Sequence, residues 1–469
     1  MHLRTRLEPG EGTMDADVVV IGAGQAGVPL AARLAATGKR VLLAERGPVG
    51  GTCVNYGCTP TKTMIASAQA AHDARRAASL GVHVGTVRVD MGAVVDRKER
   101  VVREWRESVE RRIREAGDRL TLLRGHARFT GEREVEVDGA RHRAETVVLD
   151  VGARPGVPRI PGLDTVPWLD STRALELREL PDHLLVLGGG YIGCELGQMY
   201  RRFGARVTLA GRGARLLDRE DAEVSDAVEA AFRAEGIELE LGSGAREVRR
   251  EGGEVVLALD DGRELRGSHL LVAAGRKPNT GDLGCDAAGI RLDPGGFIPV
   301  DERFRTSAAG VYAVGDVTGG PQFTHRSWDD GRILFDLLAG RSGRTAAGRL
   351  VPYTVFTDPQ VARVGLSERE AEERGIRVEA AAMPFGDVAR AAETDRRAGV
   401  MKVLLDPATE RVLGAAVVGA EAGELVHVFV ALMAAGAPAR ALVDAEFVHP
   451  TFAEGIQSLL MRLERYSLA

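Results

Sequence analysis

The chain is poor in several features that would narrow its role at once. Only four of its 469 residues are cysteine, and two of these, Cys194 and Cys285, lie far from each other and from the rest. That is too few for the disulfide framework of a secreted scaffold, so a reducing compartment is expected. Aromatic residues make up only 4%. No run of about eighteen apolar residues occurs, so no membrane-spanning helix is expected. The opening stretch MHLRTRLEPGEGTMDAD has no apolar core of the kind a signal peptide needs. Neither charge dominates: the formal net charge is −5 and basic residues are spread along the chain, which gives a nucleic-acid surface little support. What is present, 44% apolar and 28% charged residues, is ordinary for a soluble globular protein with room for about three domains. The expectation is a cytoplasmic protein with a loose tail over residues 1–14, Met14 being an alternative start, and with small-molecule or protein partners.

Residues 17–21 (DVVVI) read as a buried strand, GAGQAG turns into the alanine-rich helix VPLAARLAATG, and KRVLLAE is the next strand. The same βαβ unit recurs at 184–210, as LLVLGGG, YIGCELGQMYRRFG and ARVTLA. Between the two units, residues 91–116 carry apolar residues at helical spacing in a charged background, which predicts a long amphipathic helix. The proline-rich crossing GARPGVPRIPG marks a hinge near residue 155, and HLLVAAGRKPNT is where the chain returns toward the first unit. From about residue 350 strands and helices continue without a glycine-rich loop. The expected fold is α/β with two Rossmann-like dinucleotide-binding domains and a C-terminal αβ domain.

The first fingerprint is Gly22-x-Gly24-x-x-Gly27 with Glu45 ending the second strand, 18 residues after Gly27. Such glycines permit a tight turn and close approach of backbone N–H groups to a pyrophosphate at a helix N-terminus, and the carboxylate suits a ribose diol. The second fingerprint is Gly188-x-Gly190-x-x-Gly193, but there the second strand runs into Gly211-Arg212-Gly213-Ala214-Arg215 with no acid. A carboxylate excludes a ribose 2′-phosphate and arginine favours one, so Arg212 and Arg215 point to NADPH, with NADH possible. Two dinucleotide sites in one chain suit electron transfer between two cofactors. The stretch GGTCVNYGCTPTK holds Cys53 and Cys58, and their spacing alone leaves metal ligation, a structural bridge and a reactive pair all open.

Taken together, GGTCVNYGCTPTK, the two fingerprints, TSAAGVYAVGDVTG and HPTFAEG resemble the flavin-dependent pyridine-nucleotide disulfide oxidoreductases, the family of glutathione reductase, dihydrolipoamide dehydrogenase and mercuric reductase. The resemblance runs from about residue 15 to nearly the end of the chain. It implies an FAD-binding domain over 15–155 and 276–348, an NAD(P)H-binding domain over 156–275, and a dimerisation domain over 349–469. It places FAD at the first fingerprint with Gly51, Thr52, Lys62 and Asp316, and the nicotinamide nucleotide at the second with Tyr191 and Gly275. In the family the tyrosine at Tyr191's place covers the nicotinamide pocket.

The resemblance further implies that Cys58 faces the flavin while Cys53, the outer thiol, attacks the substrate as a thiolate. The helix starting around Thr59 would stabilise that anion, and the helix near PQFTHRSWDDG would aim its N-terminus at the flavin, with His325 packed nearby. Lys62 is expected to pair with Glu195. His449 and Glu454 are the family's acid/base pair, contributed from the other subunit of a homodimer. No metal ligand set is expected.

Tyr56 and Thr59 depart from the small aliphatics usual around these cysteines, which leaves the electron acceptor open. Residues 214–238 resemble the mercuric reductase branch, yet MRLERYSLA carries no cysteine pair of the kind that enzyme uses to take up mercury. GGPQFTHRSWDDGRILFD with PTK resembles a branch that includes hypothiocyanous acid reductases. The leading expectation is an NAD(P)H-dependent enzyme reducing a small disulfide or an oxidised thiol-reactive molecule. Mercuric ion reduction, dihydrolipoamide oxidation and redox sensing with little turnover are the alternatives.

Overall fold

The structure, a computed structural model, describes residues 15–341 and 343–467. The tail expected over residues 1–14 lies outside them. Chain contacts group into two compact units, the first made of residues up to 63, 95–156 and 275–349, and the second of 64–94, 157–274 and 350–469. This grouping differs from a three-lobe division in two ways: it joins 157–274 to the C-terminal segment, and it takes in 64–94. The helix Cys58–Arg76 therefore belongs to both units.

The first unit is built on a seven-stranded sheet. Its parallel part runs Leu120–Arg124, Val41–Glu45, Ala16–Ile21 and Ala140–Leu149, with Val311–Ala313 also pairing in parallel to the last of these. Glu134–Val137 and Ala127–Gly131 continue antiparallel from the start of Ala140–Leu149. The run VVVI over residues 18–21 is apolar throughout because both faces of this strand are covered. Val18 and Val20 pack with Leu30 and Leu34 of the Gly27–Ala36 helix, while Val19 and Ile21 pack with Val147 and Leu149 on the other side.

In the second unit, Glu238–Leu241, Arg206–Gly211, His183–Leu187, His269–Val272 and Trp168–Leu169 form a parallel five-stranded sheet. A small antiparallel sheet spans Ala245–Gly267. A second five-stranded sheet is antiparallel, in the order Tyr353–Val355, Gln360–Gly365, Val412–Gly419, Val400–Leu405 and Glu379–Pro384. The apolar helix Ala422–Ala435 contributes to the core beside it. The α/β expectation holds, and the long helix predicted over 91–116 is observed as Met91–Glu115.

One face of the Tyr191–Phe203 helix grips the segment entering the antiparallel sheet. The Glu195 carboxylate accepts the Phe356 N–H at 2.8 Å, and the Gln198 side chain both accepts from the Asp358 N–H (2.8 Å) and donates to the Asp358 carbonyl (2.7 Å). Arg202, buried, pairs with Asp358 at 2.9 Å and with Glu235. Removing one member of such a buried network leaves uncompensated charge, at a cost of about 3–5 kcal/mol. Arg202→Met should therefore lower the melting temperature by several degrees; an unchanged melting curve would show that this grip is not holding the unit.

Candidate active site

The first glycine-rich turn is closed by a residue the fingerprint does not contain. Asp150, at the end of Ala140–Leu149 and buried, accepts the Gly27 N–H at 2.7 Å. A Cβ on Gly24 would stand 2.6 Å from its carboxylate, and one on Gly27 only 2.1 Å from the Gly22 carbonyl oxygen. Gly22 itself has φ +106°. Burial pushes the Asp150 carboxyl well above the usual range, against the pull of the Gly27 N–H. The Glu45 carboxylate sits beside the turn and accepts the N–H groups of Ala23 (2.8 Å) and Gly47 (2.7 Å).

The dithiol segment is stitched onto this turn. Gly50 donates its N–H to the Ala23 carbonyl at 2.8 Å, Gln25 donates to the Gly50 carbonyl at 3.1 Å, and a Cβ on Gly51 would lie 2.9 Å from the Gly24 Cα. Gly51 and Thr52 open the short helix Gly51–Asn55 that carries Cys53, and Cys58 is the first residue of the helix Cys58–Arg76. Asn55 fixes the intervening loop by donating to the Val49 and Gly51 carbonyls, and Arg106 donates to its side-chain oxygen at 2.9 Å.

Cys53 and Cys58 are free thiols in hydrogen-bonding contact with each other. The Cys58 Sγ is also 3.1 Å from the Thr324 Oγ1, at the first residue of the helix Thr324–Leu338. The Cys53 thiol is pushed above its ordinary value. Its hydrogen bond with Cys58 is the main cause, burial and the charge of a neighbouring thiolate add to it, and Thr324 and Lys62 pull the other way. A dithiol that shares a proton holds its second proton tightly. The two isolated cysteines, Cys194 and Cys285, are buried, and burial raises both, Cys285 to about 11.

Asp316 stands in the GD turn, where Gly315 (φ +71°) approaches Asp150 and Ser327 so closely that a Cβ would lie 3.0 Å from each. The buried Asp330 accepts the Gly315 N–H at 2.8 Å and holds that turn. Burial raises the Asp316 carboxyl, opposed by the Arg276 guanidinium 3.6 Å away. The Arg276 Nε is buried with no hydrogen-bond partner among the described residues. His325 stacks on Phe323, with ring centroids 5.6 Å apart. These residues fit a dinucleotide cofactor: a cradle that any Cβ would fill, an acid beside it and an unsatisfied buried donor.

In the second unit Gly188 (φ +129°) and Gly193 pack tightly, where a Cβ would stand 2.4 Å from the Ala273 carbonyl and 1.9 Å from the Gly188 carbonyl respectively. Gly190, the N-cap of the Tyr191–Phe203 helix, faces open space instead. That is the spacing of a dinucleotide fingerprint, one glycine for the tight turn, one left open and one for close packing of helix on strand. Gly275 has φ +113°, and its carbonyl accepts the Gly156 N–H at 2.8 Å at the crossing back. Arg212 and Arg215 are exposed after the strand Arg206–Gly211, and Arg215 is paired with Asp226. His449 is well exposed, its side chain 71% accessible, and its Nδ1 lies 2.9 Å from the Glu454 carboxylate.

Sequence reasoning missed Asp150, Thr324, Arg276 and the tyrosine Tyr353, which stacks on Tyr191 at 5.5 Å. Only Asp150 left a signal, since TVVLD ends in an acid just as VLLAE does.

Residues 16–331 match the family model "Pyridine nucleotide-disulphide oxidoreductase", and residues 351–460 match that family's dimerisation domain. The chain is 34% identical to a mercuric reductase of Staphylococcus aureus, over 96% of this chain and 83% of that one. It is 36% identical to a dihydrolipoyl dehydrogenase of Thermus scotoductus, over 96% and 98%. The solved structure of the HOCl-induced flavoprotein disulfide reductase RclA of Escherichia coli superposes with a TM-score of 0.87 at 34% identity, covering 95% of this chain and 99% of that one. This chain belongs to the pyridine nucleotide-disulphide oxidoreductase family, whose members use FAD and NAD(P)H.

Because a Cβ at Gly27 meets backbone rather than a movable side chain, Gly27→Ala should purify with most of its flavin lost. The ratio of flavin to protein absorbance measures this; full occupancy would show that the turn is not the cradle.

Proposed function

We propose that this enzyme uses NADPH to reduce a small disulfide or an oxidised, thiol-reactive molecule through Cys53 and Cys58. The observation that carries the reading is the pair of hydrogen-bonded thiols stitched to the first glycine turn. When bound, FAD supplies the two-electron transfer between the reduced nicotinamide and the dithiol. The Cys53 thiolate attacks one sulfur of the acceptor, forming a mixed disulfide and expelling the first thiolate. Cys58 then attacks the Cys53 sulfur, expelling the second thiolate and closing the Cys53–Cys58 disulfide. Lys62 and the Thr324 hydroxyl favour the anionic sulfur through these steps, and Glu195 is assigned to the same electron-transfer machinery by the resemblance.

His449, held by Glu454, gives protons to the departing thiolates. Its exposure, beside the exposed Val448, suits a side chain offered to the site of a second copy, and the matched dimerisation domain supports a homodimer. Glu45 and Asp316 are assigned to hydroxyl groups of the flavin cofactor, and Arg212 with Arg215 to the 2′-phosphate of NADPH. Among the described residues no helix is long and apolar enough to cross a membrane, and with so few cysteines we assign the enzyme to the cytoplasm. Mercuric ion is the second acceptor considered, because several relatives are named mercuric reductases.

NADPH added without acceptor should give a long-wavelength absorbance from the Cys58 thiolate beside the flavin; its absence would refute the dithiol mechanism. Cys53→Ser should retain electron transfer to artificial acceptors while losing at least about a hundredfold in disulfide reduction. A panel of glutathione disulfide, lipoamide, hypothiocyanite and mercuric ion in excess thiol then identifies the acceptor. Arg212→Glu should lower kcat/KM for NADPH by roughly ten- to a hundredfold and spare NADH; equal losses with both nucleotides would remove Arg212 from the phosphate site.

A further inference from the structure

Between the strand Arg206–Gly211 and the helix Ala222–Ala234 the chain makes a loop that carries both Arg212 and Arg215. Leu217, a buried leucine in this loop, adopts φ +51°, a left-handed conformation that persists only where the surroundings fix it. Its N–H donates to the Gly189 carbonyl at 2.9 Å, which ties the loop to the second glycine turn, and its carbonyl accepts the Glu220 N–H at 2.8 Å. The loop also folds back on itself. A Cβ on Gly213 would stand 3.0 Å from the Asp218 carboxylate, so Asp218 packs against the backbone between Arg212 and Arg215.

The far end of the loop is held by residues distant in the chain. Arg369, in the short helix Glu368–Glu373, donates one guanidinium N–H to the Asp218 carbonyl at 2.9 Å and another to the Arg219 carbonyl at 3.0 Å. The Asp221 carboxylate accepts the N–H groups of Glu368 and Arg369, at 3.1 and 3.3 Å. Lys402, buried on the strand Val400–Leu405, reaches the same carboxylate at 3.2 Å. Glu220 accepts the Tyr353 hydroxyl, so each residue of 218–221 is bound from beyond residue 350. The Arg369 side chain is 48% accessible, so it fills no core, and its two bonds to successive carbonyls are charge-assisted. Its contacts fix loop backbone rather than packing.

We propose that Arg369 is a positioning residue for nucleotide selectivity: by fixing the Asp218 and Arg219 carbonyls it keeps Asp218 against Gly213, and so keeps Arg212 where it meets the 2′-phosphate of NADPH. The inference rests on reading Arg212 as a phosphate-binding residue. Lys402 secures the end of the same loop through Asp221. Without these ties the loop populates other arrangements, and apparent affinity falls with the fraction still competent to bind. The loss falls on NADPH, because NADH has no phosphate for the loop to hold.

The test uses the FAD-loaded enzyme and its Arg369→Ala and Arg369→Lys variants. Each is titrated calorimetrically with NADP⁺ and with NAD⁺, which requires no turnover, and assayed with NADPH and NADH. In Arg369→Ala the Kd for NADP⁺ and the KM for NADPH should rise roughly three- to tenfold, while kcat and the Kd for NAD⁺ stay within about twofold. Arg369→Lys keeps the charge but lacks the fork that spans two carbonyls, and should fall between wild type and Arg369→Ala. An unchanged Kd for NADP⁺, or equal losses with both nucleotides, overturns the positioning role; equal losses with a lowered melting temperature are what a purely stabilising contact gives. Arg212→Glu, measured beside them, separates the two levels of the inference. If it weakens NADP⁺ selectively while Arg369→Ala does not, the phosphate-site reading stands and the anchor falls. If it affects NADP⁺ and NAD⁺ alike, the reading itself is overturned, and the anchor with it.

Discussion

The first glycine turn works because two stretches of backbone and the Asp150 carboxylate come closer than any Cβ would permit. The Gly27 N–H reaches the Asp150 carboxylate, Gly24 lies against that carboxylate, and Gly51 rests on the Gly24 Cα. Each approach excludes a Cβ, and together they bring a helix N-terminus, a buried acid and the segment bearing Cys53 to one place. Were this turn wider, the Gly51–Asn55 helix would lose its seat and the two thiols their orientation. The hydrogen bonds from Gly50 and Gln25 make the seat rigid rather than merely close.

The same turn in the second unit is put to different use. Gly188 and Gly193 are packed as tightly as their counterparts, but Gly190 opens to space and the following strand ends without an acid. There the helix after the turn is held from outside, through Glu195, Gln198 and Arg202 onto the segment 356–358.

The thiols show why proximity alone does not make a nucleophile. Two sulfurs in contact share a proton, and that sharing with burial raises the Cys53 thiol, while Lys62 and the Thr324 hydroxyl favour the anion. The reduced dithiol is thus suited to carrying one negative charge rather than two.

Periodicity and glycine spacing were enough to read the βαβ units, the Met91–Glu115 helix and both cradles, because these depend on contacts among residues near in sequence. The pairing of His449 with Glu454 and the seat of the cysteines beside the first turn were legible from motifs for the same reason. Asp150 was only faintly legible, and Thr324, Arg276, Glu220 and Tyr353 were not, because each acts on a partner many residues away and nothing local marks it. The direction of the Cys53 shift was likewise beyond the sequence, since it depends on the contact between two sulfurs and on what buries them. By itself the sequence determined the elements and the two glycine turns, all matters of local backbone geometry. Only the tertiary structure decided which distant side chains close each cradle, how the thiols share their proton and what holds Tyr191, because those depend on desolvation and on distances that folding alone creates.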